Sequence, residues 1–474
     1  MSREERARHS RLSRRGFLAA AGGGGLTLIL AACAPAAAPA PTSAPAALTE
    51  APAPTAAAAA PTEAPPTEAP APTAAPAPAE GAKVTITQWQ HHSEARATIV
   101  QALVKEYMDQ NPNITIVFES TPYDAYFDKV VTSLEAGSGP DVFQIPSNIA
   151  NEFYGRKQLT ALPPEVMTKS AVESELVPWT VRLLTFGGEY YGMPTDVQVW
   201  PLFINNALAT EAGLDVAKPP KTWDDLTVWA TTLTKKDGSD NLTQAGLAIA
   251  GSAYQYYYQM LSQKCQCLTV DENYKVLYDE PWGIEAWQYI TDFVTKHAVD
   301  SPQFLAGQDT FTLGKAAMRV TEYVSAGSAK LTAPDMAFTI VPTPYPPDKG
   351  PSVEGSSWSY VVSSVSANKV EAWNWVKFLT SADSQKKWAA GGGECPSRVA
   401  VLADTQLRSD PNIAASFDML PTAIPMDGWG WDDVWYIRQA IWDRVILEGA
   451  KVEESVAKGA AEERALYAKK FGAS

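Results

Sequence analysis

Between positions 427 and 433 the chain reads Asp427-Gly428-Trp429-Gly430-Trp431-Asp432-Asp433, two tryptophans and three carboxylates in seven residues. This mixture suits a ligand with an apolar ring face and a hydroxyl rim, because the face stacks on indole while the hydroxyls hydrogen-bond to planar polar groups. A pyranose sugar has both. Trp435, just beyond, is a second stacking candidate or the first residue of a buried helix. Two carboxylates flanking a glycosidic bond could instead cleave it, and Asp196, Glu322, Asp432 and Asp433 could supply such a pair. Nothing else in the sequence supports hydrolysis: it has no nucleophile elbow, zinc motif, phosphate loop or Ser–His–Asp order. Three histidines, His91, His92 and His297, lie beyond residue 83, too few to argue for a metal.

The elements that must hold such side chains begin at residue 83. Val84–Trp89 alternates as a strand and runs out at Gln90-His91-His92, and Ser93 reads as the cap of a helix starting at Glu94. Asn111-Pro112-Asn113 stops that helix, and residues 114–118 form the next strand. A helix over 123–136 ends at Gly137, and 140–145 reads as a third strand. This βαβαβ order predicts a parallel sheet with right-handed crossovers. Ligands bind such sheets at the carboxyl ends of the strands, which puts Gln90, His91, Ser147 and Asn148 on one rim.

Composition bounds the partners. The net charge is −15, and no Lys/Arg stripe is present, so nucleic acid is not expected as a partner. All 15 tryptophans and 18 tyrosines lie beyond residue 83. Ahead of that point, Ser13-Arg14-Arg15-Gly16-Phe17-Leu18 is a twin-arginine export signature followed by a short apolar run and Leu30-Ala31-Ala32-Cys33. The last four residues resemble a bacterial lipobox. Residues 1–32 are thus expected to be a twin-arginine lipoprotein signal peptide. A lipid on Cys33 would anchor the protein to the outer face of the cell membrane. Residues 33–82 are a disordered Ala/Pro/Thr-rich tether, with 13 prolines over positions 34–80. Its polyproline bias gives a reach of up to roughly 140 Å at about 3.1 Å per residue.

Asn111-Pro112-Asn113-Ile114, Gly139-Pro140-Asp141-Val142-Phe143, Tyr191-Gly192-Met193-Pro194 and Phe203-Ile204-Asn205-Asn206 follow one another in the chain. Pro220-Lys221-Thr222-Trp223-Asp224-Asp225-Leu226, Gly314-Lys315-Ala316-Ala317-Met318, residues 372–380 and Gly393-Glu394-Cys395-Pro396-Ser397-Arg398 continue the series. Together they resemble the family 1 extracellular solute-binding proteins, the maltose-binding-protein-like carbohydrate receptors of ATP-binding-cassette importers. The resemblance implies an α/β, two-lobed periplasmic-binding-protein-like fold (type II), its lobes joined by hinge crossings with the ligand cleft between. Lobe 1 would comprise 83–195 and 360–405, and lobe 2 would comprise 196–359 and 406–474. The crossings would be 194–201, 355–360 and the stretch after Arg398.

On this resemblance the protein is a monomeric receptor, not an enzyme, without cofactor or metal. It captures a sugar and hands it to the transmembrane permease subunits. Asp196, Gln198 and Trp200 on the first crossing and Trp358 on the second are expected to meet the ligand, as are Trp429, Trp431 and Trp435. Tyr323 falls where the family often places a stacking aromatic, and Glu322 could accept a hydroxyl. Arg398 could brace the third crossing or fork onto sugar hydroxyls. One member of the cluster Tyr254, Tyr256, Tyr257 and Tyr258 is expected to reach the cleft. A peptide, polyamine or chelate is the alternative cargo, but a strongly charged ligand demands a compact cluster of opposite charge that the sequence does not display. Cys265 and Cys267 could bridge only through a tight turn; either that link or free thiols are expected. Twin-arginine export implies folding before translocation, while thiols are still reduced, which weighs against an essential disulfide.

Overall fold

Residues 84 to 146 fold as their alternation dictates. Strand β1 (Val84–His91), helix α1 (Glu94–Gln110), β2 (Ile114–Thr121), α2 (Tyr123–Glu135) and β3 (Val142–Pro146) follow in order. β1 pairs in parallel with β2 on one side and β3 on the other. It runs two residues further than its alternation suggests, because Gln90 and His91 still pair with Ser120 and Thr121. Ser93 occupies the N-cap position of α1, but its side chain makes no capping hydrogen bond. The computed structural model describes residues 83–271, 273–427 and 431–472, so the signal peptide and tether lie outside the described residues.

The parallel strands belong to a six-stranded sheet completed by β4 (Met193–Val199), β8 (Val353–Val362) and β9 (Ala423–Pro425). A three-stranded antiparallel sheet lies further along the chain, with β5 (Leu202–Asn205) between β6 (Met318–Val320) and β7 (Phe338–Val341). Each sheet has its own core. Ile86, Val100, Leu103, Trp373 and Trp375 pack together behind the first. Leu202, Trp223, Tyr256, Trp287 and Trp442 pack together behind the second. Burying such side chains is worth roughly 1.5–3 kcal/mol each, so most tryptophans in the helical runs stabilise the fold and are not available to a ligand.

The segments that pass between the two sheets lie side by side. β4 and β8 pair antiparallel from Gly355↔Val199 to Tyr360↔Met193, with a register shift at Trp358/Ser359. On the other edge of β4, Val197 and Cys395 exchange backbone hydrogen bonds of 2.9 and 3.1 Å. The third strand-like contact therefore comes at Cys395, just before Arg398. Helix α3 (Ala150–Gly155) follows β3, and the short α4 (Pro178–Arg182) leads toward β4. Helix α5 (Tyr254–Cys265) ends at Gln266 in the left-handed region (φ 57°), and this turn lets Cys265 meet Cys267 in a disulfide. Cys395 is a buried free thiol, its pKa pushed up by burial and by Glu394. Helices α6 (Trp431–Ile446) and α7 (Val452–Phe471) close the chain against the second core.

Candidate functional site

A chamber of about 340 Å³ opens where both sheets present loops to one another. From the first sheet come His91 at the end of β1, Ser147 and Asn148 in the turn after β3, and Trp358 on β8. Trp200 just past β4, Tyr254 at the start of α5 and Glu322 just past β6 complete the lining. The Trp358 ring packs 4.2 Å from His91 and 6.2 Å from Phe127, centroid to centroid, which holds the indole on the chamber wall. Trp179 of α4 also lines the chamber. It fits only because residue 355 is glycine: a Cβ there would lie 2.6 Å from its ring.

Beneath the wall sits a buried charge cluster. Arg96, on the first turn of α1, places Nη2 2.8 Å from Asp196, bonds Glu394 through Nε, and sets Nη1 2.7 Å from His91 Nε2. Burial opposes the guanidinium's charge, but Asp196 and Glu394 outweigh it and hold its pKa above the usual value. Burial pushes the His91 pKa down to about 3, helped by Arg96, so the ring is neutral. The carboxylates move the other way. Burial raises Asp196 despite Arg96, and Glu394 is pushed up to about 8 by burial and by Asp196. Glu322 is pushed up to about 7 by burial and then by Asp196, against the pull of Arg96.

Three buried nitrogens on the chamber wall are left open among the described residues, one of them His91 Nδ1. Asn148 Nδ2 and Trp200 Nε1 have no hydrogen-bond partner, although the two residues are 3% and 1% exposed. An unmet buried donor costs about 1–3 kcal/mol, so each favours a bound acceptor. The Ser147 hydroxyl, by contrast, is satisfied, 2.7 and 2.8 Å from those of Ser357 and Ser359. Beside this chamber, and sharing Leu183 with it, is a wider one of about 1140 Å³. Tyr154 and Phe186 stack on one side of it at 4.4 Å, and Tyr274 and Phe471 stack at 4.3 Å on the other.

Of the residues singled out in the sequence, His91, Ser147, Asn148, Trp200 and Trp358 come together on the chamber wall. Gln90, Asp196 and Gln198 lie beneath it, fully buried: Gln90 accepts from Tyr360 and Gln198 from the Val324 amide, while Asp196 pairs with Arg96. Tyr323 is packed in a core with Phe203 and Phe311, and its neighbour Glu322 takes the wall position. Arg398 points away, its guanidinium bonded to Glu175 and the Thr380 carbonyl, a bracing role. Trp435 packs partly buried against the second core, behind Tyr254 at 6.4 Å. Asp427 is pinned by the Thr269 and Val270 amides and by Arg438, so its carboxylate is not available to a sugar. Trp429 and the Trp431 side chain lie outside the described residues.

Arg96, Trp179 and Tyr123 line the chamber without having been singled out. Arg96 was the findable one, being on the first helical turn after a strand end, where the crevice rule already points. Tyr254 is the member of its tyrosine cluster on the wall, and Tyr256, Tyr257 and Tyr258 are buried in the core.

A model of the family described as bacterial extracellular solute-binding protein matches residues 91–386. A maltotriose-binding protein from Pyrococcus abyssi is 26% identical over 341 residues, 71% of either chain. Among solved structures, a solute-binding protein of Thermotoga lettingae bound to α-D-tagatose superposes with a TM-score of 0.66 at 24% identity, covering 80% of this chain and 98% of that one. A Listeria monocytogenes substrate-binding protein with cycloalternan gives 0.69 at 20% identity, covering 83% and 100%. The fold is the two-lobed α/β fold of these proteins.

Proposed function

Because the chain belongs to the bacterial extracellular solute-binding protein family, and so acts outside the cytoplasm, we propose that it captures a sugar or oligosaccharide and delivers it to the permease of an ATP-binding-cassette importer. The observation that carries this reading is the chamber itself: indole and phenol walls, open buried nitrogens on His91, Asn148 and Trp200, and the Glu322 carboxyl facing one space. That is the complement of a sugar's flat face and hydroxyl rim. The maltotriose-binding relative supports the carbohydrate class. Catalysis has no place in this reading: of the carboxylates that could have formed a hydrolytic pair, Asp196 is buried in an ion pair with Arg96 and Asp433 pairs with Lys470.

The receptor is a monomer anchored through a lipid on Cys33 after removal of a twin-arginine signal peptide. Its proline-rich tether raises the receptor's effective concentration at a fixed permease. A thermal-shift screen of the purified protein against a sugar panel tests the cargo. A true ligand at about 100 times its Kd stabilises the folded state by about 2.7 kcal/mol. If every sugar leaves the melting point unchanged while a peptide or chelate raises it, the carbohydrate reading fails.

A further inference from the structure

We propose that the inner chamber selects a sugar carrying a protonated amine, with Glu322 as the partner of the ammonium group; this rests on the carbohydrate reading above. Sequence alone shows no compact acidic cluster because Asp196, Glu322 and Glu394 are far apart in the chain. The fold brings all three to one guanidinium. Arg96 is committed: Nη2 faces Asp196, Nε faces Glu394, and Nη1 faces His91. His91 lines the same chamber as a neutral ring and adds no cation. Glu322 is the carboxylate left over. It lines the chamber with no side-chain hydrogen bond or ion pair among the described residues. One arginine thus faces three carboxyl groups, two of them bonded to it, and the third, Glu322, faces the ligand space.

The walls favour the same charge. Tyr123, Trp179, Trp200, Tyr254 and Trp358 surround that space, and aromatic faces attract an ammonium ion through their quadrupoles. The remaining groups narrow the class. Asn148 Nδ2 and Trp200 Nε1 are buried donors without partners, and they call for oxygen acceptors on the ligand. A quaternary ammonium without hydroxyls leaves both unmet. No group of three or more ligating side chains suited to a metal ion occurs among the described residues. An amino sugar suits these groups together: ammonium to Glu322, hydroxyl oxygens to Asn148, Trp200 and His91 Nδ1, ring face to indole.

Isothermal titration calorimetry on the purified protein tests this with matched sets in the gluco, galacto and manno series. Each set holds the free amine, its N-acetyl form and the neutral parent, as monosaccharide and as disaccharide. For the sugar that binds, the amine form is expected to bind at least about tenfold tighter than the neutral parent, the scale of one charge-assisted hydrogen bond with cation–π support. Glu322→Gln should bring that ratio close to one. A neutral parent that binds wild type as tightly as the amine overturns the inference and leaves the carbohydrate reading intact. Binding of choline or spermidine with no saccharide of either charge overturns the carbohydrate reading and the amino-sugar assignment together. Because the ratio is read on wild type, the inference stays testable even if Glu322→Gln fails to fold.

Discussion

Replacing Arg96 with methionine removes the cation on which Asp196 and Glu394 depend while keeping most of the side chain's volume. Both carboxyls are about 1% exposed, and Arg96 itself is 9% exposed. Breaking a buried pair by deleting one partner costs about 3–5 kcal/mol when the survivor stays charged. Here the survivors can escape by protonating. Glu394 already titrates at about 8 and Glu322 at about 7 with the arginine present, against an ordinary value of 4.5. Carboxyls raised in the folded state contribute stability that is complete below their ordinary value and is lost as pH rises through the folded value. Without Arg96 their folded values rise further, so the variant loses more stability over that window than wild type. Near pH 5 Glu394 and Glu322 are neutral and their share of the penalty reduces to lost hydrogen bonds, about 1–2 kcal/mol. Near pH 8 it should reach about 3–5 kcal/mol. Urea unfolding followed by tryptophan emission, run for both proteins at the two pH values, reads the difference. A penalty equal at both, or larger at the acid end, refutes the reasoning.

Trp358→Ala should weaken ligand binding by about 1–3 kcal/mol, measured by calorimetry with the sugar that the screen identifies; an unaltered Kd removes Trp358 from the site. Arg398→Ala frees Glu175 and the Thr380 carbonyl, and should lower the urea midpoint by the equivalent of about 1–3 kcal/mol while leaving affinity within about twofold. A large loss of affinity in a folded variant would restore Arg398 to the ligand contacts. Gly355→Ala drives a methyl into Trp179 and should cost about 1–3 kcal/mol of stability, read from the same midpoint. Cys33→Ser should release the protein from the membrane fraction into the medium, and intact-mass measurement of the retained wild type should show the lipid.

What the sequence made legible was whatever depended on local periodicity. The alternation in 84–91 and 114–121 and the apolar stripe of α1 were enough to place His91, Ser147 and Asn148 at strand ends, where the structure puts them on the chamber wall. Trp200 and Trp358 were legible from motif order, as residues on crossings. What stayed hidden depended on long-range pairing. Arg96 looks like a solvated helix residue until Asp196 and Glu394, one and three hundred residues away, close around it. Tyr323 and Glu322 differ by one position, and a short strand's register decides which faces the ligand. Of the aromatic-carboxylate loop, Trp429 and the Trp431 side chain lie outside the described residues. Its first carboxylate, Asp427, is consumed by the buried Arg438, which also binds Glu463 on α7.

β4 bonds laterally to β8 on one edge and to Cys395 on the other, and this line of contacts would serve as the fulcrum of a lobe rotation. In a rotation of one lobe about it, each residue travels in proportion to its distance from the axis. Ser357 and Trp358 sit on that line, so such a rotation would move them least. Tyr274 and Lys470, out on the wider chamber, ride the long arm of the lever. Across it Asn151 donates a hydrogen bond to Tyr274 at 3.2 Å, and Lys470 pairs with Glu152 at 3.8 Å. Each is worth about 1 kcal/mol or less, a clasp weak enough that a bound ligand outweighs it in setting how far the jaws stay apart.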